Sequence, residues 1–256
     1  MTRGDRRHEI SDLTVSVQLQ GEFQAAHTSS DNTQVLPTDT MKNSVYVLAR
    51  QGPVDPPEAF GERLARHFLS ACPASHTAVV SLAVHRWERV ADHAFLGGSP
   101  ERRTAVVTVR AQEIDVESGL EGLRLLKTAG SGFAGFLRDG HTTLADTDDR
   151  IFATEVNAHW HYSDQPVDYD EGWNKIRNAL IATFAAHQSA SVQQTLYAMG
   201  EAALAACAEL EQIRVVLPNR HHLLVDLGKF GLENRNEIFV PTSEPYGRIE
   251  AVITRE

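Results

Sequence analysis

From Leu13 to Leu19, apolar Leu13, Val15, Val17 and Leu19 alternate with polar residues. A period of two places them on one face, which predicts a half-buried strand within 10–23. A polar stretch, 25–34, follows. Residues 44–49 read equally as a further strand or as the start of a helix. Asp55-Pro-Pro then heads a helix with Phe60, Leu64 and Phe68 at helical spacing and Pro73 beyond its end. Asp55 suits the N-cap and proline the first turn. Strands are predicted over 77–90 and 103–111, separated by His93-Ala-Phe95 and a Gly-Gly-Ser turn. A short apolar segment, 119–128, is broken by Gly130 and Gly132, so the boundary between two domains, 1–128 and 129–256, is set there.

The second half opens with a loop over 131–149 and a long strand over 151–162. Trp173, Ile176, Leu180 and Phe184 form the stripe of a helix over 169–187. Another helix is predicted over 191–209, then strands at 212–217, 222–227, 237–240 and 248–254. Both halves run strands, helix, strands, without a strict repeat. Strands grouped around helices, with no regular β-α alternation, predict an α+β fold with antiparallel sheets.

Charge narrows the function. The formal net charge is -10, which opposes nonspecific binding to nucleic acid or to an anionic membrane. The lysines are Lys42, Lys127, Lys175 and Lys229, so there is no polybasic tract. No apolar run approaches the ~20 residues of a membrane helix. The polar start is no signal peptide and the end is no peroxisomal address, so a cytoplasmic protein is expected. Cys72 and Cys207 fall in Ala- and Leu-rich helices and read as buried free thiols.

Several polar groups sit beside turns. Thr38-Asp39-Thr40 follows a proline and reads as an Asx turn or cap, or as a hydroxyl and amide facing a ligand. Phe133 lies among glycines, either as a satellite core contact or as a stacking platform for a flat heterocycle. Arg150 follows Asp148 and Asp149; it is a surface ion pair or a fork for a planar anion. Gln193 starts a helix, as a cap or as an amide reading a purine-like edge. Asn219 and His221 belong to a turn between strands. His221 and His222 point to opposite faces, and His159 with His161 lacks a third ligand, so no metal site is expected. A Gly-rich phosphate loop, a nucleophile elbow and His-Glu-x-x-His are all missing, which supports no nicotinamide or flavin cofactor.

Taken in order, these segments resemble urate oxidase. The resemblance rests on Val35-Leu-Pro-Thr-Asp-Thr-Met-Lys-Asn-Ser-Val-Tyr46, Gly132-Phe-Ala-Gly-Phe-Leu-Arg-Asp139, Thr142-Thr-Leu through Asp149-Arg150, Ser189-Ala-Ser-Val-Gln-Gln-Thr-Leu-Tyr197, Leu217-Pro-Asn-Arg-His221 and Pro245-Tyr-Gly-Arg-Ile-Glu250. It implies tandem tunnelling-fold domains, with antiparallel sheets and helices packed on one side. It implies cofactor-free oxidation of urate by dioxygen, in a homotetramer whose active sites lie at subunit interfaces. Phe133 would stack on the purine, Arg150 and Gln193 would clamp it, and Val192 and Asp39 would add backbone hydrogen bonds. Thr38 would belong to a lysine–threonine dyad, Asn219 would lie beside dioxygen and water, and His221 would relay protons. Thr38 and Asp39 would come from one chain and the clamp from its neighbour.

One departure stands out. The family carries a first strand with a Tyr-Gly-Lys-x-x-Val-Arg pattern whose lysine is the dyad base, whereas no lysine precedes Lys42 here. Its loss would leave one edge of the 10–23 strand unpaired. Either the start is placed late or the homologue is truncated and weak. The rival readings are a purine- or pterin-binding module without turnover and an enzyme acting on pterins. The pairing of Arg150 with Gln193 favours urate.

Overall fold

The alternating segment forms a strand with every second side chain turned inward, and short elements flank it. In the computed structural model, which describes residues 1–111, 113–163 and 167–255, the chain begins β1 (Thr2–Arg3), β2 (His8–Glu9), β3 (Leu13–Gly21), α1 (Gln24–Thr28), α2 (Thr38–Gln51) and α3 (Pro57–Ala71). It continues β4 (Ser75–His85), β5 (Glu88–Ala91), β6 (Ala94–Leu96), β7 (Arg102–Arg110) and β8 (Glu113–Lys127). Then come β9 (Phe152–Tyr162), α4 (Tyr169–Ala186), α5 (Val192–Ala206), β10 (Leu210–Asn219), β11 (His222–Leu224), a 3-10 turn at Gly228–Phe230, β12 (Phe239–Pro241) and β13 (Gly247–Thr254). Two compact units result, Met1–Leu120 with Asp164–Glu171, and Glu121–Ser163 with Gly172–Glu256.

In the first unit, hydrogen-bonded neighbours run β3-β4-β7-β8, and β3 and β7 both pair antiparallel with β4. Among the described residues, no strand pairs the other edge of β3. Helix α3 packs on β4 and β7 through Phe60, Leu64 and Phe68, all buried. Leu13, Val15, Val17 and Leu19 lie partly buried against this core, as do Met41, Val45 and Leu48 of α2. At the far end of the β3–β4 pair the register shifts at Gly21. A Cβ there would sit 2.0 Å from the Ala74 carbonyl oxygen, so the backbones can approach only at glycine. Gly21→Ala is expected to cost about 1–3 kcal/mol of overpacking and to lower the melting temperature. An unchanged thermal melt would refute that reading of the bulge.

Two expectations need correction. The Asp55 cap lies one residue too early. A residue before proline avoids helical geometry, so Pro56 is held extended (φ -69, ψ 153) and becomes the N-cap of a helix starting at Pro57. The Asp55 carboxylate instead accepts from Ser11 Oγ at 2.8 Å. The strand predicted over 77–90 ends at His85, and Glu88–Ala91 pairs separately with Ala94–Leu96. The polar stretch 25–34, to which the sequence assigns no element, holds most of a short helix, α1. The segment with two readings, 44–49, is helical, inside α2.

In the second unit the neighbours run β8-β9-β10-β13, with β10 antiparallel to both β9 and β13. Phe152, Val156, Ala158 and Trp160 of β9 are buried, and the Phe152 ring lies 5.1 Å from Phe184 of α4. Trp173, Ile176, Leu180 and Phe184 are all buried, as their spacing predicts. His159 and His161 fall on the opposite, polar face of β9. Each unit thus holds a strand, a helix pair and a return strand: β3-α2-α3-β4 and β9-α4-α5-β10. Cys72 and Cys207 occupy matching places at the C-caps of α3 and α5, both buried and free.

Candidate active site

The second unit gathers six of the eight candidate residues. Two turns meet beside the start of β9. Ser131 and Ser189 form a parallel bridge, with Ser189 N donating to Gly130 O (2.9 Å) and Gly132 N to Ser189 O (2.8 Å). Phe133 exchanges two backbone hydrogen bonds with Thr147, at 2.7 and 3.0 Å. This close pairing requires Gly132, where a Cβ would meet Thr147 O at 2.8 Å. The Phe133 ring is half-buried and stacks on Phe136, with centroids 4.9 Å apart and planes 9° apart. Arg138 lies over Phe136 and pairs with Asp146 at 3.2 Å, which anchors the loop.

Arg150 lies against this aromatic turn. Its backbone N–H donates to Ser131 O (2.9 Å), its Nε to Ser131 Oγ (3.4 Å), and its guanidinium carbon is 5.7 Å from the Phe133 ring centre. Its Nη2 is buried without a hydrogen-bond partner, and no carboxylate among the described residues pairs with it. Asp148 and Asp149 therefore do not neutralise it, and the surface ion-pair reading falls. Burial pulls the arginine pKa below its usual value. A buried cation with an unsatisfied donor is costly unless an acceptor meets it.

Val192 and Gln193 open α5. Ser191 is the N-cap and accepts from Gln194 N at 3.1 Å, while Gln194 Oε1 accepts from Ala190 N at 2.9 Å. Ser191 and Gln194 therefore do the capping, not Gln193, whose side chain is exposed. The first N–H groups of a helix have no partner inside it and favour negative charge. Val192 and Gln193 carry such groups. Upstream, the Lys127 ammonium holds the end of α4 by donating to the Phe184 and His187 carbonyls.

Asn219 ends β10, half-buried and opposite Gly247. Arg220 N donates to Ala153 O at 3.0 Å, which brings this end of β10 to the start of β9, three residues from Arg150. The His221 carbonyl takes the Thr242 amide at 2.9 Å and its hydroxyl at 3.2 Å.

Thr38 and Asp39 lie in the first unit, in the first turn of α2. The extended Pro37 precedes them as N-cap. The Asp39 carboxylate is taken by Lys42 Nζ (2.6 Å) and Asn43 Nδ2 (3.0 Å), which leaves the backbone for a ligand. Thr38 opens on a cleft of about 360 Å³ lined by Leu13, Val15, Val17, Met41, Lys42, Val45 and Tyr46.

The buried hydroxyls of Ser131, Ser189 and Thr195 belong to this site without standing out in the sequence. The Ser191-Val-Gln-Gln194 capping pattern was the available signal for that turn.

The family model for uricase matches residues 2–108 and 116–250. Uricase of Arthrobacter globiformis is 45% identical over 258 aligned residues, covering 100% of this chain and 85% of that protein. Uricase of Aspergillus flavus is 39% identical, covering 96% of this chain and 88% of that protein. The crystal structure of the Arthrobacter uricase superposes with a TM-score of 0.95 over 100% of this chain and 89% of that chain. A uricase from Bacillus fastidious, at 24% identity, shares the fold with a TM-score of 0.85. With the matched segments spanning both units, the chain belongs to the uricase family.

Proposed function

We propose that the chain is a urate oxidase of the bacterial type, converting urate, dioxygen and water to 5-hydroxyisourate and hydrogen peroxide. The observation that carries this is Arg150: a half-buried arginine with a sealed, unsatisfied Nη2, beside a stacked aromatic turn, with no carboxylate among the described residues paired to it. Urate is a flat monoanion at neutral pH, and a planar fork suits it.

The chemistry follows from residue types. Phe133 supplies a face for the ring. Arg150 and Gln193 fix urate in its plane, with backbone amides of Val192 and Asp39 at its edges. Urate gives up a proton and two electrons, and dioxygen takes the electrons to leave as peroxide. Water then adds to the oxidised ring. Thr38 and His221 serve as the proton path, and Asn219 holds dioxygen or water. The halves 1–128 and 129–256 act as tandem tunnelling-fold domains in a homotetramer. There Thr38 and Asp39 of one chain face the Arg150 clamp of the next.

Mixing the purified protein with urate tests this reading, through binding by calorimetry and turnover by urate absorbance and peroxide release. Binding with peroxide release is expected. No binding would sink the urate assignment, and binding without peroxide would leave a purine-binding module in its place.

A further inference from the structure

Three residues with almost no exposure lie between the two sides of the proposed clamp: Ser131 (0%), Ser189 (1%) and Thr195 (0%). A buried hydroxyl costs stability unless it is hydrogen-bonded, and alanine or valine would fill the same space. These hydroxyls are bonded, and their partners form one connected path. Arg150 Nε donates to Ser131 Oγ. Ser189 holds the backbone of 130–132 on both sides, through its amide and its carbonyl. Its hydroxyl donates to Ser191 O at 3.1 Å, the N-cap carbonyl of α5. Thr195, one turn into α5, donates to Ser189 Oγ at 2.8 Å, with Ser191 O also 3.3 Å away.

Ser189 therefore grips the aromatic turn with its backbone and the start of α5 with its side chain. We infer that Ser189 and Thr195 are positioning residues, which set the span between Arg150 and the Val192–Gln193 amides and so tune affinity for a planar anion. This rests on the urate reading above. Neither hydroxyl touches the substrate. They act through the two turns, and a misplacement of about 1 Å at a binding group can cost a hundredfold.

The test is urate titration of the full chain with Thr195→Val, which keeps shape and removes the hydroxyl, and with Thr195→Ser and Ser189→Ala. Thr195→Val and Ser189→Ala are expected to weaken urate binding about tenfold, as loss of a buried hydrogen bond implies. Thr195→Ser is expected to bind like wild type. Melting curves select the folded variants. If Ser189→Ala fails to fold, the threonine pair decides alone. Undiminished binding by folded Thr195→Val would overturn the inference, as would equal loss in Thr195→Ser. If wild type itself does not bind urate, the failure belongs to the proposed function and not to the brace.

Discussion

Replacing Arg150 with lysine weakens urate binding about a hundredfold, and replacing it with methionine weakens it further. Lysine keeps the charge but offers a point, whereas the fork fixes a flat anion in its plane. The expected partner of the loss is a gain. The Arg150 Nη2 is sealed and unsatisfied, and among the described residues no carboxylate pairs with it, so the folded state bears part of its desolvation. Arg150→Met should therefore melt no lower than wild type, and above it if the cost is large. Calorimetric titration with urate and a thermal melt measure both. Binding within about threefold of wild type by Arg150→Lys would remove the bidentate clamp from the mechanism.

Arg103→Met should cost about 3–5 kcal/mol of stability, because it leaves a buried carboxylate alone. Glu58, in the first turn of α3, is 1% exposed. It accepts from Ser118 Oγ at 2.6 Å and from Arg103 Nη2 at 2.8 Å. Arg103 also bonds Asp170 and the Tyr169 carbonyl. Burial pushes the Glu58 pKa up, against the pull of Arg103 and Ser118. Removing Arg103 removes the largest opposing pull. A raised carboxyl contributes stability that is full below its unfolded pKa, and this is lost as pH rises through the folded value. The gap between variant and wild type should hence narrow as pH falls toward the ordinary carboxylate range. Denaturant melts at two pH values check this. A gap independent of pH would mean that Glu58 is not the group left uncompensated. Glu58→Gln in the Arg103→Met background should recover part of the loss.

Where burial followed one face, the fold was legible in the sequence. The α4 stripe and the β3 alternation needed nothing else. Reading failed where another force decided. The strand β8 spans Glu113–Lys127, but its first half bears Glu113, Asp115 and Glu117, so only the apolar end after Gly119 showed. In α2, Met41, Val45 and Leu48 carry the helical spacing, yet the run Val45-Tyr-Val47 has strand propensity, and the helix has no fully buried residue to tip the balance. Tandem prolines moved the start of α3 for a backbone reason that a capping rule does not contain.

The site divides in the same way. Each of Phe133, Arg150, Gln193 and Asn219 had a plainer reading alone, and their order along the chain carried the assignment. The hydroxyl brace was invisible because serine and threonine in a turn or a helix's first turns usually face water. Only the fold shows that Ser131, Ser189 and Thr195 are sealed.

The paired C-cap cysteines supply a gauge that the chain carries already. Each compact unit holds one thiol, Cys72 in the first and Cys207 in the second, and both are buried. Burial and the nearby Glu209 raise the Cys207 pKa, which keeps that thiol unreactive while its helix end stays docked. A thiol reagent must wait for the local structure to open. With one cysteine replaced at a time, the labelling rate of the other clocks the breathing of a single half, without any engineered probe.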